Sequence, residues 1–175
     1  MTIINSEKTA IKRKKQSTPA TNNLNYLING DVLDFGCGHG ADVEFYQSNG
    51  FDSVGYDPHH RNVIPDAYFE NVTCTYVLNA INFLERVECI EDAIQFLKTG
   101  GRLIITVRSD VEKNAKSKSW KKHLDGFWSN EKRGMFQADI PDHQIIRTVE
   151  KFMFSKLIST KKNSSFKTFV FEKCF

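Results

Sequence analysis

The chain has 175 residues, of which 40% are hydrophobic, and a formal net charge of +3. That length and composition suit one domain with a single core. No apolar run approaches the roughly 20 residues of a membrane span, and the four cysteines lack the C-x-x-C spacing of zinc or redox motifs. We therefore expect a cytoplasmic protein with no membrane span, disulfide framework or metal site.

The charge is distributed unevenly along the chain. Residues 1–20 hold five Lys or Arg against one Glu, and residues 112–133 hold seven basic against three acidic residues. Residues 21–111 hold five basic against 13 acidic residues. Basic flanks around an acidic centre are compatible with a polyanionic partner such as DNA or RNA, because Lys and Arg attract phosphate without regard to sequence. A solvated tail and a solvated loop explain the same pattern equally well.

In chain order, residues 1–20 form a polar, basic N-terminal arm, and residues 21–175 form a single domain. A short helix is predicted over Asn22–Leu27, a first strand over Asp31–Phe35 and a helix over Ala41–Ser48. Between that strand and that helix lies the sequence V-L-D-F-G-C-G-H-G, residues 32–40.

Alternating glycines after a strand are typical of a loop that approaches a nucleotide-containing cofactor closely, in front of a helix N-terminus. Gly36, Gly38 and Ala41 also fit the dinucleotide pattern G-x-G-x-x-G/A. Asp34, two residues before the first glycine, favours a cationic ligand over a pyrophosphate. The second strand ends at Asp57, whose carboxylate can accept hydrogen bonds from ribose hydroxyls.

Over Asp31–Arg108 this D-x-G-x-G loop with a second-strand acid resembles the class I S-adenosylmethionine-dependent methyltransferases. The resemblance implies a Rossmann-like, doubly wound α/β fold with a mostly parallel sheet, and S-adenosylmethionine as cofactor. In the arm, Lys12 and Arg13 are candidates for binding the cofactor's carboxylate. The residues expected around the rest of the cofactor are Asp34, Phe35, Gly36, Cys37, Gly38, Gly40, Asp57 and Pro58.

Four flanking segments are similar to the methyltransferases associated with bacterial DNA phosphorothioation systems. They are K-T-A-I-K-R-K-K-Q-S-T-P from residue 8, V-G-Y-D-P-H from residue 54, Y-V-L-N-A-I from residue 76 and G-M-F-Q from residue 134. This likeness implies a bacterial or phage setting but leaves the methyl acceptor open.

The segment after Asp57 departs from the usual methyltransferase pattern. Two prolines argue against the helix that normally precedes a third strand, so we expect a fold reduced around that strand. The acid that normally lies near the adenine is then uncertain, with Asp66 and Glu70 as alternatives. Val72–Leu78 is predicted as the fourth strand.

The acceptor side is expected at the end of that fourth strand. Tyr76 and Asn79 are the candidate acceptor residues there. His39 is a candidate catalytic base, and His59 and His60, also on loops near the cofactor end, could serve as the base as well. The structural alternatives are that Asn79 only caps the strand end, that Tyr76 is a buried aromatic residue and that the histidines are only solvated. The sequence has neither the Asn-Pro-Pro-Tyr motif of amino-methylating DNA enzymes nor a Pro-Cys pair for cytosine C5 attack.

The remaining elements follow from periodicity and turn residues. A helix over Glu85–Leu97 should end at Gly100 and Gly101, and a buried strand should follow over Arg102–Val107. The basic and aromatic insert at residues 111–133 contains Trp120, Phe127 and Trp128; an amphipathic helix is favoured there over a nucleic-acid-binding lid. A last helix, Asp142–Lys151, precedes an antiparallel hairpin formed by residues 152–159 and 166–174, with its turn near Asn163.

These observations predict an S-adenosylmethionine-dependent methyltransferase, with a nucleic acid favoured modestly over a small molecule as acceptor. Two further readings remain: a non-catalytic accessory subunit that binds the cofactor, and a nicotinamide-dependent oxidoreductase. The second rests on the G-x-G-x-x-A overlap alone.

Overall fold

A computed structural model describes residues 3–175 and shows five α-helices and nine β-strands within them. The helices are α1 (Thr18–Asn23), α2 (Ala41–Ser48), α3 (Phe83–Gln95), α4 (Val111–Ser117) and α5 (Asp142–Phe152). The strands are β1 (Val32–Phe35), β2 (Ser53–Tyr56), β3 (Phe69–Thr75), β4 (Leu97–Arg108), β5 (Lys121–His123), β6 (Gly126–Asn130), β7 (Met135–Gln137), β8 (Ser155–Lys162) and β9 (Phe166–Lys173). Short 3-10 turns occupy Ser6–Thr9, Leu78–Ala80 and Glu131–Arg133.

The central sheet has six strands in the order β2-β1-β3-β4-β9-β8. The first four run parallel, whereas β9 and β8 are antiparallel to their neighbours. This confirms the predicted Rossmann-like α/β fold with a C-terminal antiparallel hairpin. The reduction is confirmed as well, because between β2 and β3 the chain forms only an isolated bridge between Asp57 and Arg61.

The parallel register brings the carboxyl ends of three strands to one edge of the sheet. Phe35 at the end of β1 pairs with Tyr56 at the end of β2, and Asp34 pairs with Thr73 of β3. The centre of the sheet is completely buried: Leu33, Leu103 and Ile105 have no exposed surface. Such a core fixes the edge at which ligands bind in open α/β sheets.

Several predicted boundaries were wrong for local reasons. Helix α1 begins at Thr18 instead of Asn22, because the Ser17 hydroxyl caps it by accepting from the Ala20 amide and Pro19 fits its first turn. Strand β3 ends at Thr75, and the chain then turns through Leu78–Ala80. Helix α3 begins at Phe83, where Asn82 and Glu85 form a capping box.

Gly100 and Gly101 do not end helix α3, as was predicted, but lie inside β4. The helix stops at Gln95, and the glycines accompany a shift in register between β3 and β4. A Cβ at Gly101 would lie 2.8 Å from the backbone oxygens of Glu70 and Lys98. The close approach of backbone segments explains the glycine here.

The insert at residues 111–133 is not the predicted amphipathic helix. Only α4 is an α-helix. The segment continues through residues 134–138, which are counted with the insert from here on, and its strands β5, β6 and β7 form a separate three-stranded antiparallel sheet. Trp128 of β6 and Phe136 of β7 are cross-strand partners and are both buried. Alternate residues of this segment are buried, which is the periodicity of a strand, and this burial favours strands over a helix.

Candidate active site

The glycine loop after β1 adopts backbone conformations that favour glycine. Gly36, Gly38 and Gly40 have φ angles of 79°, 53° and 88°. A Cβ at Gly36 would lie 2.2 Å from the Cγ2 atom of Val77, which follows β3. The loop therefore passes against the chain that leaves the neighbouring strand, and only glycine fits at Gly36.

Asp57 connects the end of β2 to this loop. Its carboxylate accepts hydrogen bonds from the amides of Gly38 at 3.1 Å and of His59 and His60, both at 2.9 Å. Each carboxylate oxygen has two lone pairs, so the Oδ2 atom that accepts from Gly38 can accept one further bond. Asp57 is thus placed to hold a ligand hydroxyl beside the loop.

Asp34 lies buried beneath the loop. It accepts a 2.8 Å hydrogen bond from the Thr73 hydroxyl, and burial, reinforced by the negative charge of Asp42, raises the pKa of its carboxyl to about 7. Burial likewise raises the pKa of the Cys37 thiol to about 12. Cys37 is therefore a neutral thiol at pH 7 and not a nucleophile.

A cleft of about 410 Å³ opens above these residues. The predicted residues that line it are Arg13, Asp34, Phe35, Gly36, Cys37, Gly38, His39, Gly40, Asp57, Pro58 and Tyr76. Its volume lies within the range typical of small-molecule and cofactor sites. The structure does not bring Lys12 or Asn79 into the cleft wall.

Asn79 is instead a buried residue whose side chain bonds two backbone segments. Its Nδ2 atom donates to the Ala138 carbonyl at 2.7 Å, and its Oδ1 atom accepts from the Arg108 amide at 2.8 Å. With no exposed surface, this side chain holds the end of β4 and the end of the insert together. Its contacts are those of a structural residue, which explains its absence from the cleft wall.

Tyr76 lies at the acceptor side, where β3 ends. Its φ of 63° is left-handed, an uncommon conformation for a bulky residue that is enriched at functional sites. Its ring meets Phe166 edge-on at 6.4 Å between centroids. Burial raises the pKa of its hydroxyl, opposed by the positive charges of Arg13 and Arg108, so the phenol stays protonated at neutral pH.

His39 lies at the exposed rim of the cleft. Its ring packs against that of His60 with 4.3 Å between centroids. The Nε2 atom of His60 lies 3.4 Å from the backbone oxygen of Glu7 in the arm. The two histidines therefore lie between the glycine loop and the arm.

The arm crosses the cleft and is held at its far end by the insert. The Asn5 amide donates to the Gly134 carbonyl at 2.9 Å, and Ile4 packs against the cluster of Trp128, Phe136 and Ala138. The arm residues in the cleft wall are Ser6, Glu7, Thr9, Ala10, Ile11 and Arg13. The arm thus forms a strap, residues 3–13, between the insert and the glycine loop.

A family model described as a methyltransferase domain matches residues 10–147, which is most of the chain and includes the glycine loop, Asp57 and Tyr76. The chain belongs to this methyltransferase family. With the cofactor motif and the fold, the match makes it an S-adenosylmethionine-dependent methyltransferase. No relative is found among the curated proteins.

Solved structures similar to this methyltransferase share its fold at low identity. The PH0226 protein from Pyrococcus horikoshii OT3 has a TM-score of 0.66 and 16% identity, covering 89% of this chain and 88% of its own. The 1,6-didemethyltoxoflavin-N1-methyltransferase from Burkholderia thailandensis, solved with S-adenosylhomocysteine, has a TM-score of 0.65 and 12% identity over 90% and 78% of the two chains. An S-adenosylmethionine-dependent methyltransferase from Clostridium acetobutylicum ATCC 824 has a TM-score of 0.58 and 14% identity over 87% and 88%.

The methyltransferase has acidic residues in its cleft wall that were not predicted from the sequence. Glu85, Glu88 and Asp92 of α3 line the cleft. Their spacing of three and four residues, which places them on one helix face, was the available signal. Glu70 lies at the other end of β3, bound to the Asp31 amide and Lys98, and Asp66 is exposed outside the cleft.

Thr75 is a second residue of the methyltransferase site that was not predicted. It ends β3 and lines the cleft, yet its hydroxyl oxygen is buried with no hydrogen-bond partner. A buried hydroxyl without a partner is costly.

Within residues 3–175, no helix is both long and apolar enough to cross a membrane. In the same range, no group of three or more His, Cys, Asp or Glu side chains is arranged to hold a metal ion.

Proposed function

We propose that this methyltransferase transfers a methyl group from S-adenosylmethionine to a nucleic acid. The observation that supports this acceptor is the Asn5–Gly134 hydrogen bond, which joins the basic insert to the basic arm, and the arm in turn lines the cleft. Two segments that are remote in sequence thereby become one cationic rim. Such a rim attracts the phosphates of a polyanion.

The residues of the cleft fit S-adenosylmethionine. The loop from Gly36 to Gly40 supplies close backbone approach, Asp57 would accept from ribose hydroxyls, and Arg13 would bind the carboxylate. The sulfonium and ammonium cations of the cofactor suit a wall that carries the carboxylates of Glu7, Asp34, Asp42, Asp57, Glu85, Glu88 and Asp92. Of these, Glu85, Glu88 and Asp92 belong to α3 and are the candidates to accept from the adenine amine.

Charge is segregated between the interior of the cleft and its rim. The acidic wall suits the cofactor, whereas exposed cations are found in the arm and the insert: Lys8, Lys12, Lys14, Lys15, Lys118, Lys121, Lys122, Lys132 and Arg133. We propose that they form the rim. A polyanion would keep its phosphates on the rim, and only an uncharged base would enter. This arrangement reconciles an acidic cleft with an anionic acceptor.

To promote the transfer, the protein must align the acceptor with the methyl group and exclude water from the cleft. The cofactor supplies a methyl group that its sulfonium already activates. Tyr76 and Thr75 lie where an acceptor would approach from the end of β3, and residues of the strap also line the cleft. Where the acceptor atom carries a proton, His39 at the rim would receive it.

Transfer of a radiolabelled methyl group to oligonucleotides tests this function. We expect incorporation into DNA or RNA that falls steeply with salt, and loss of incorporation in Lys14→Gln/Lys15→Gln. The matched control is Lys151→Gln/Lys156→Gln, which removes two exposed lysines at the end of the molecule remote from the cleft. Incorporation that is equal in both double variants, or absent from every nucleic acid, would refute the proposed acceptor.

A small-molecule acceptor is the second candidate. The similar Burkholderia thailandensis structure is named for an enzyme that methylates 1,6-didemethyltoxoflavin, and the strap already roofs the cleft, which suits a small substrate. Methylation of a nucleobase or nucleoside at a rate independent of the rim lysines would favour it. A cofactor-binding subunit without activity would bind S-adenosylmethionine and methylate neither class.

We also place the protein in a reducing cytoplasm. Its four cysteines are all free thiols, as expected where disulfides do not persist.

A further inference from the structure

The hairpin of β8 and β9 ends at the same edge of the sheet as the cleft. Its turn, residues 163–165, follows Lys161 and Lys162, and Phe166 pairs with Arg108 at the end of β4. The same Phe166 contacts Tyr76. The hairpin tip, residues 161–165, is therefore a neighbour of the acceptor side on the flank away from the glycine loop.

The hairpin tip is held firmly in this position. The Ser109 amide donates to the Ser165 carbonyl at 3.0 Å, and the Ser109 hydroxyl donates to the Asn163 carbonyl at 3.0 Å. Within the turn, the Asn163 side chain accepts from the amides of Ser165 and Phe166. Lys161 and Lys162 thus project from an ordered support.

The hairpin carries positive charges that are not needed for packing or for ion pairs in the core. Residues 151–171 contain five lysines and no acidic residue. Lys167 is buried against Asp142, whereas Lys161 and Lys162 are exposed and belong to no salt bridge within residues 3–175. Burial raises the pKa of Asp139, and the positive charges of Lys167 and Lys162 oppose that shift.

We propose that the hairpin tip is a third phosphate-binding segment, which holds the acceptor nucleic acid on the Tyr76 side of the cleft. This rests on the proposed function and adds a contact absent from both basic flanks. Lys162 lies two strands from the end of β4 and three from Tyr76, which is roughly 10 and 14 Å at about 4.8 Å per strand. At about 3.4 Å per nucleotide along a strand, the tip reaches phosphates some four nucleotides from the methylated one.

A basic edge strand also deters edge-to-edge association of sheets, so the test must separate the two roles. Lys156, at the opposite end of β8, would serve edge protection equally well but lies far from the cleft. It therefore supplies the control.

The experiment measures the affinity of the full chain for single-stranded and duplex oligonucleotides between 50 and about 200 mM salt. Compared with wild type, Lys161→Gln/Lys162→Gln should weaken binding at every salt concentration and reduce the slope of log K against log salt by about 2. Lys151→Gln/Lys156→Gln should leave the slope unchanged, and Lys161→Arg/Lys162→Arg should retain it.

The outcomes distinguish this inference from the function on which it rests. If wild type binds neither oligonucleotide at 50 mM salt, the nucleic-acid acceptor itself is refuted. If wild type binds and the two Gln double variants change the slope equally or not at all, the acceptor stands and the role of the hairpin tip is refuted. A change confined to Lys161→Gln/Lys162→Gln supports both.

Discussion

Gly36 and Gly50 share a left-handed backbone but differ in their surroundings. Their φ angles are 79° and 87°, yet a Cβ at Gly36 meets Val77 at 2.2 Å whereas one at Gly50 meets nothing within 4 Å. Both Gly→Ala changes should lower the free energy of unfolding by about 1–2 kcal/mol through backbone strain. Only Gly36→Ala should also displace Val77 and weaken S-adenosylmethionine binding by tenfold or more, which denaturation and calorimetry would measure. Equal cofactor affinity in both variants would contradict the assignment of Gly36 to the cofactor site.

Asp34 makes stability depend on pH. Its folded pKa of about 7 lies above the usual 3.8, so its contribution to stability is fully present below about pH 4 and is lost as the pH rises to about 7. Three pKa units correspond to roughly 4 kcal/mol. The free energy of unfolding of wild type relative to Asp34→Asn should therefore fall by up to that amount between pH 4 and pH 8, as urea denaturation would show.

Binding of the cofactor should follow the opposite trend. A cationic ligand interacts better with an ionised Asp34, so the affinity of wild type for S-adenosylmethionine should rise as the pH increases through about 7. Asp34→Asn should lose that dependence. A relative stability that does not change with pH would show that Asp34 titrates at its ordinary value.

At the scale of elements, the strap depends on Gly134 in the insert. Gly134 has a φ of 69°, and a Cβ there would lie 2.4 Å from the Ile3 carbonyl and 2.8 Å from the Asn5 Nδ2 atom. Gly134→Ala should release the strap, so that trypsin cleaves the arm at Lys12–Lys15 several-fold faster and S-adenosylmethionine dissociates faster. The control is Gly100→Ala, which has a similar φ of 77° in open space. Equal cleavage rates in the two variants would mean that Gly134 does not hold the arm.

The elements differ in how far the sequence predicts them. Helix α2 has the predicted bounds, Ala41–Ser48, because the glycine loop fixes its start and Asn49–Gly50 its end. The insert was mispredicted because it folds as an antiparallel meander, and the helix pattern does not reveal the cross-strand pairing of Trp128 with Phe136. The same limit applies to the strap, since the contact of Ile4 with Trp128 joins residues more than a hundred positions apart.

The residues of the candidate site also differ in how well the sequence predicts them. The residues on the glycine loop and at the end of β2 were predictable because a motif with a known backbone geometry places them. Asn79 was predicted for the acceptor side from its position at a strand end, but its side chain is used by the backbone of Arg108 and Ala138. Glu88 and Thr75 were missed because only the assembled sheet and helix reveal that they face the cleft.

At the scale of the whole molecule, folding assembles a cofactor cleft from one half of the chain and a cationic rim from the other segments. The strap contacts both, since it is bonded to the insert and borders the glycine loop. Under the proposed function, cofactor and acceptor would therefore bind to a single connected surface.

The central claim is that S-adenosylmethionine binds between the glycine loop and Asp57, and titration calorimetry tests it most directly. We expect one site for S-adenosylmethionine, no binding of NADH, and an affinity at least tenfold weaker, or about 1.4 kcal/mol, in Asp57→Ala. Asp52→Ala, an exposed carboxylate just before β2, should bind like wild type. Wild type that binds NADH instead, binds neither ligand, or is unaffected by the loss of Asp57 would contradict the account.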